Sequence, residues 1–191
     1  TLAAVIKANE MGLTVSIDLN YRSKLWQYGR HPKEVMPEIL QYCHVVLGDR
    51  NTADTYFGIT GSGTDEKELY KDAMMQLQNK FSQLKHIIFS FRESRTATNN
   101  AIGAYYLAGD VFTESAVISM ENMIDRPGGG DALMAGIIFG LNEYKDNCKS
   151  AIDFAVAAAA LKASVPGDAN LVTKEEVLSL MNGNIHGKIN R

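Results

Sequence analysis

Apolar and polar positions along the chain follow two rhythms. Leu2, Val5 and Ile6 recur at helical spacing and predict a helix over 1–11, stopped by Gly12. Residues 13–19 (LTVSIDL) form a β-branched run suited to a buried strand, and 20–31 (NYRSKLWQYGRH) a loop rich in polar and aromatic groups. His31-Pro32 opens a second helix to Tyr42, with Pro37 awkwardly inside it. A strand over 43–48, a short helix over 50–57 ended by Gly58, and a surface loop at 61–63 come next. An amphipathic helix over 65–81 and a strand over 86–91 (HIIFSF) complete this part. Strand and helix in alternation imply parallel strands with crossovers, hence a layered α/β sheet.

The rhythm then changes. Residues 101–107 and 111–119, separated by Gly109-Asp110, predict an antiparallel hairpin. Two consecutive helices follow over 128–142 and 148–164, then a loop with Pro166-Gly167-Asp168 and a last helix from Thr173. There is no internal repeat or low-complexity segment. Ligands of open α/β sheets bind beyond the carboxyl ends of the strands, where residues 18–22, 48–52 and 90–92 place polar groups directly after apolar runs.

Composition narrows the class. The 191 residues suit one domain, with 46% hydrophobic and 21% charged residues as in soluble globular proteins. Nineteen Lys+Arg against 22 Asp+Glu give a net charge of −3, which argues against broad attraction to nucleic acid or an anionic membrane and still allows a local cationic pocket. Cys43 and Cys148 show neither metal-ligand spacing nor a disulfide framework, which points to a reducing, cytoplasmic setting. The four histidines form no HxxxH pair, so no metal-ligating set is predicted, and no apolar stretch is long enough to span a membrane.

The most informative stretch is Asp125-Arg126-Pro127-Gly128-Gly129-Gly130-Asp131, which runs into Ala132-Leu133-Met134-Ala135-Gly136. Three glycines entering a helix allow a tight turn and leave several N–H groups uncovered at the positive end of the helix dipole, a place that favours concentrated negative charge. Asp131 then falls in the first helical turn, where a carboxylate beside bound phosphate can take a proton from an attacking hydroxyl. Taken alone, the same residues equally describe a flexible loop with Asp131 as an N-terminal cap. Neither a Walker loop nor a GxGxxG fingerprint is present. Ala132, Gly136 and Gly140 recur every four residues, a small-residue face that lets the helix lie close to a neighbour.

DRPGGGDALMAG resembles the carboxyl-terminal signature of the ribokinase-like (PfkB) carbohydrate kinases, D-T-x-G-A-G-D-x-F-x-x-G. IDLNYRSKLW (17–26) is similar to the D-x-N-Y-R-x-x-L-W segment of 2-keto-3-deoxygluconate kinases, and FRESRTATNN (91–100) to their L-R-E-S-x-S-A-S-x-N segment. ALKASVPGDANLVTKEEV (160–177) resembles the same group. The resemblance runs over nearly the whole chain, with the motifs in family order.

The resemblance implies a ribokinase-like three-layer α/β sandwich with a mostly parallel sheet. It also implies ATP-dependent phosphoryl transfer to the 6-hydroxyl of a sugar acid, foremost 2-keto-3-deoxygluconate. Alternatives are a kinase of another sugar or a nucleoside, and a homologue that binds sugar or nucleotide without transfer. By resemblance Asp131 is the general base, and Gly128, Gly129 and Gly130 form the anion hole. Arg22 faces the sugar acid, Asp168 is a further substrate contact, and Ser90, Arg92 and Asp49 lie toward ATP. The cofactors implied are ATP and Mg2+, with a monovalent cation such as K+ near Asp125 allowed. The full-length protein is compatible with a homo-oligomer.

The sequence departs from the family pattern in places. The usual N-x-x-E appears as Asp49-Arg50-Asn51-Thr52, Arg126 stands where relatives carry Thr, and Leu133 where they carry Phe. Relatives also carry an amino-terminal part with a Gly-rich segment and a β-sheet lid. Residues 1–191 are accordingly expected to represent the carboxyl-terminal nucleotide-binding and catalytic part, truncated at the amino terminus and a poor catalyst alone, because a site without its lid stays wet.

Overall fold

The computed structural model describes residues 1–94, 96 and 98–183. The elements of the first half are α1 (Leu2–Glu10), β1 (Ser16–Asp18), a 3-10 turn (Ser23–Leu25), α2 (Pro32–Leu40), β2 (Val45–Gly48), α3 (Arg50–Phe57), α4 (Glu66–Lys80) and β3 (His86–Ser94). The second half holds β4 (Asn100–Ala108), β5 (Val111–Glu114), β6 (Ile118–Met120), α5 (Gly129–Glu143), α6 (Cys148–Lys162) and α7 (Lys174–Met181). The strands are ordered β1-β2-β3-β4-β5, with β6 also on β4. β1, β2 and β3 run parallel, pairing Ile17 with Val46 and Val46 with Ile87, while β6 runs antiparallel to β4.

Local chemistry explains where elements start and stop. His31 accepts the Lys33 N–H at 3.2 Å, and Glu34 accepts the His31 N–H at 3.3 Å, so a reciprocal cap opens α2. Pro32 occupies the first turn, where its missing N–H costs nothing. Pro37 sits inside the helix without ending it. The strand expected over 13–19 is regular only over Ser16–Asp18, because the His44 ring takes the Val15 N–H at 3.1 Å while the Val15 carbonyl serves both His44 and Val45. β3 continues to Ser94, so Ser90 and Arg92 lie within a strand and not in a loop beyond one. The strand expected over 111–119 breaks at Ser115. There the hydroxyl accepts the Ala104 N–H at 2.9 Å, and the next amide, Ala116, donates to the Asp153 carboxylate at 2.8 Å.

The chain divides into two compact units: Thr1–Ser90 with Tyr105–Phe112, and Phe91–Ala104 with Thr113 onward. The core of the first is apolar strand against helix, with Val45, Val46, Ile87, Ile88 and Phe89 buried beside Leu40, Ala53, Met74 and Leu77. Cys43 is buried there, and burial pushes its thiol up to about 11, which keeps it unreactive at neutral pH. In the second unit α5 packs on α6 through the predicted small-residue face. A Cβ on Gly136 would stand 2.6 Å from the Ala155 Cα, and one on Gly140 2.8 Å from the Ala151 Cα. Phe139 stacks on Phe154 at 4.5 Å, and Val177 of α7 joins Phe154, Ala157 and Ala158 in one apolar cluster.

Two outcomes follow from this packing. Gly136→Ala must force α5 off α6 and is expected to cost roughly 1–3 kcal/mol, read as a lower urea midpoint; an unchanged midpoint would contradict the contact. His86, half-buried and 2.7 Å from the Tyr106 hydroxyl, has its pKa lowered first by burial and then by Lys85. Its folded value lies below its unfolded value near ~6.5, so its contribution is complete above that pH and lost as pH falls toward the folded value. His86→Gln should flatten this acid limb in urea titrations at successive pH values.

Candidate functional site

In the second unit the glycine run forms the mouth of α5. Gly128 is the residue before the helix and adopts a left-handed conformation, φ +77°, which glycine takes without strain. A Cβ on it would overlap the Asp168 carbonyl oxygen and stand 3.0 Å from Lys162 Cε, so the turn is closed by backbone against backbone. No side chain among the described residues caps α5. The Gly129 N–H reaches only the Arg126 carbonyl, at 3.4 Å, while the N–H groups of Gly130 and Asp131 meet no acceptor among the described residues. Asp131 is the third residue of the helix, exposed, with a carboxylate that likewise has no hydrogen-bond partner among them.

Cationic groups stand at this mouth. Nη2 of Arg92 lies 3.0 Å from where a Cβ on Gly129 would be, so the absence of a side chain at Gly129 lets the guanidinium hang over the first residue of the helix. The packing around Arg92 and, second, the like charge of Arg126 lower its pKa from the ordinary arginine value, although it stays a cation at neutral pH. Two arginines thus stand near the helix amides of Gly130 and Asp131, which have no acceptor among the described residues, an arrangement chemically suited to an anionic group. Arg95 and Ala97 of the 91–100 motif lie outside the described residues.

The loop after α6 holds the turn in place. Asp125 accepts the Arg126 N–H at 2.9 Å and the Gly167 N–H at 3.0 Å, and the Ile124 N–H donates to the Ala163 carbonyl at 2.8 Å. Asp168 is exposed and touches the turn through its carbonyl, not its carboxylate.

In the first unit the other expected residues surround the ends of β1 and β2. Arg22 is exposed, with Nε 3.5 Å from the Asn20 amide oxygen and no carboxylate partner among the described residues. Tyr21 and Trp26 pack edge-on against Tyr56 of α3 at 5.7 and 5.8 Å, pinning the loop that presents Arg22. Asp49 caps α3: its Oδ1 accepts the Thr52 N–H at 2.7 Å, and the Thr52 hydroxyl accepts the Asp49 N–H at 2.8 Å. Thr52, where relatives carry Glu, thus completes a reciprocal cap, and Oδ2 of Asp49 has no partner among the described residues. Ser90 is half-buried in β3.

One residue of this region has no counterpart in the sequence-based expectations. Lys162, completely buried, ends α6 with its Nζ on the carbonyls of Val165 at 3.0 Å and Gly167 at 2.7 Å. The signal was a lone lysine closing the apolar run FAVAAAAL, where burial of the helix forces the charge to find partners.

Known proteins resemble the chain over nearly its whole length. The chain is 27% identical over 177 residues to the 2-dehydro-3-deoxygalactonokinase of Haloferax volcanii, which covers 92% of this chain and 49% of that protein. The crystal structure of a 2-dehydro-3-deoxygluconokinase from Thermotoga maritima superposes with a TM-score of 0.86 at 30% identity, over 95% of this chain and 54% of that one. A fructokinase with bound ATP from Xylella fastidiosa shares the fold, with a TM-score of 0.72 at 20% identity over 96% and 56% of the two chains. The chain therefore spans about half the length of these relatives. Their common fold is the expected ribokinase-like one, with mostly parallel strands and helices packed on them. Because the pattern of pfkB family carbohydrate kinases matches residues 1–175, from α1 through the glycine turn to the start of α7, the chain belongs to that family.

Proposed function

We propose that this chain carries the phosphoryl-transfer machinery of an ATP-dependent kinase whose substrate is a 2-keto-3-deoxy sugar acid. The observation that carries the reading is the exposed Asp131 carboxylate, unengaged, at the head of a helix whose Gly130 and Asp131 amides have no acceptor among the described residues. A capping residue would have spent that carboxylate on its own helix.

Asp131 takes the proton of the sugar's 6-hydroxyl as that oxygen forms its bond to the terminal phosphorus. The bond from that phosphorus to the leaving oxygen breaks, and ADP departs with the electron pair. The amides at 129–131 and the Arg92 guanidinium face the charge that spreads over the phosphoryl oxygens. Arg22, in the first unit, is assigned to the substrate carboxylate, which a guanidinium grips with two parallel hydrogen bonds. Magnesium would neutralise phosphate charge. It takes most ligands from phosphate and water, and Oδ2 of Asp49 suits an outer contact. No three His, Cys, Asp or Glu side chains among the described residues are grouped to hold a metal directly.

The substrate class rests on Arg22 in its NYR context and on the named activities of the Thermotoga and Haloferax relatives, which differ in sugar epimer. Fructose, ribose and nucleosides are the competing substrates within the family. No described helix is long and apolar enough to cross a membrane.

Coupled ATP-consumption assays of the complete protein over a panel of sugars, sugar acids and nucleosides test the reading. Turnover is expected on the gluconate or galactonate form of the keto-deoxy acid. Asp131→Asn should lower kcat by on the order of 10²–10⁴ with an unchanged circular dichroism spectrum; normal turnover would remove Asp131 as the base. Arg22→Met should raise KM for the sugar acid at least tenfold and leave KM for ATP alone. Binding of sugar and ATP by calorimetry with no transfer would instead favour a non-catalytic homologue.

A further inference from the structure

The allowed monovalent cation near Asp125 meets a specific obstacle in this chain. Both Asp125 carboxylate oxygens already accept backbone N–H groups, from Arg126 and Gly167. The nearby loop carbonyls that could ligate a cation, those of Val165 and Gly167, converge on Lys162 Nζ at 3.0 and 2.7 Å. Lys162 is 0% exposed, and its Cε stands beside Gly128. An ammonium and a potassium ion are similar in size and charge and both take carbonyl oxygens, so the group that holds this loop is covalently attached to the protein.

We propose that Lys162 is a positioning residue whose ammonium serves as a built-in cation. It fixes the 163–168 loop against the glycine turn, so that this chain needs no external monovalent cation. Gly167 is gripped at both its polar groups, N–H by Asp125 and C=O by Lys162. The next carbonyl, that of Asp168, is then pressed onto Gly128. Through that contact Lys162 sets the direction of the amides at 129–131 without touching a reacting atom. Removing the ammonium leaves two carbonyls without their donor, and desolvated carbonyls must find another partner or move. The effect on turnover rests on the kinase reading above; the effect on the fold does not.

The test compares the complete protein in choline, sodium, potassium and ammonium chloride at one ionic strength, by thermal melting and by ATP consumption. The wild type is expected to melt within about 1 °C, and to turn over within about twofold, in all four salts. Lys162→Ala opens space for a small ion. It should melt roughly 5 °C lower in choline and lose about tenfold in kcat with little change in KM, and potassium or ammonium should restore part of both. Lys162→Met fills the space with an apolar chain and should lose stability with no response to any salt. The proposal is overturned if the wild type itself gains several degrees or tenfold in turnover from potassium over choline. It is equally overturned if Lys162→Met matches the wild type. Should the alanine variant not fold, the wild-type salt series still decides. A wild type inactive in every salt would defeat the kinase reading and leave the melting comparison standing as the judge of Lys162.

Discussion

The glycine turn depends on one close approach, the Asp168 carbonyl against the bare Cα of Gly128. A side chain at 128 would separate the two strands of backbone, and the left-handed φ there would strain any other residue. The turn in turn leaves the N–H groups of Gly130 and Asp131 without a protein acceptor among the described residues. Preorganisation of this kind is what phosphoryl transfer needs from a protein, because fixed dipoles act on developing charge without having to reorient. In the proposed reading the carboxylate of Asp131 supplies a proton acceptor to this frame and the guanidinium of Arg92 a positive charge.

That frame is held from behind as well. Glycine and alanine at the α5–α6 interface bring the helix axes together so closely that even one methyl group has no room at Gly136. Interior packing transmits displacement instead of absorbing it. A shift of α6 is therefore felt at the amides of α5 by two routes, the helix contact itself and the loop that Lys162 and Asp125 hold. One buried ammonium on two carbonyls and one carboxylate on two amides organise the loop 163–168.

Much of the fold was legible in the sequence because its signals are local. The alternation of β-branched runs with helices predicted the parallel strands, Gly58 ended α3 as expected, and the four-residue spacing of Ala132, Gly136 and Gly140 predicted a close helix contact. The errors occur where a tertiary hydrogen bond competes with the ladder. The His44 ring shortens β1, and Asp153 takes the amide that would have continued β5 into β6. The length of β3 was underestimated because Arg92, Glu93 and Ser94 are polar while still extended. For the proposed site, residue type and order are what suggest Asp131 and the three glycines. What no local pattern could reveal was that the Asp168 carbonyl packs on Gly128, since every residue possesses a carbonyl, or that Thr52 caps its own helix where relatives carry an acid. Lys162 escaped notice for a related reason: its partners are backbone atoms, which leave no mark in composition.

The two compact units are not successive segments. The chain leaves the first at Ser90 and re-enters it at Tyr105, both times in the middle of a strand. Residues 1–90 are therefore made before the stretch Tyr105–Phe112 that completes their unit, and the edge of β3 that β4 pairs stays open until β4 has been made. An open strand edge is a template for pairing with another chain, so residues 86–94 are the stretch that most needs cover until β4 is in place.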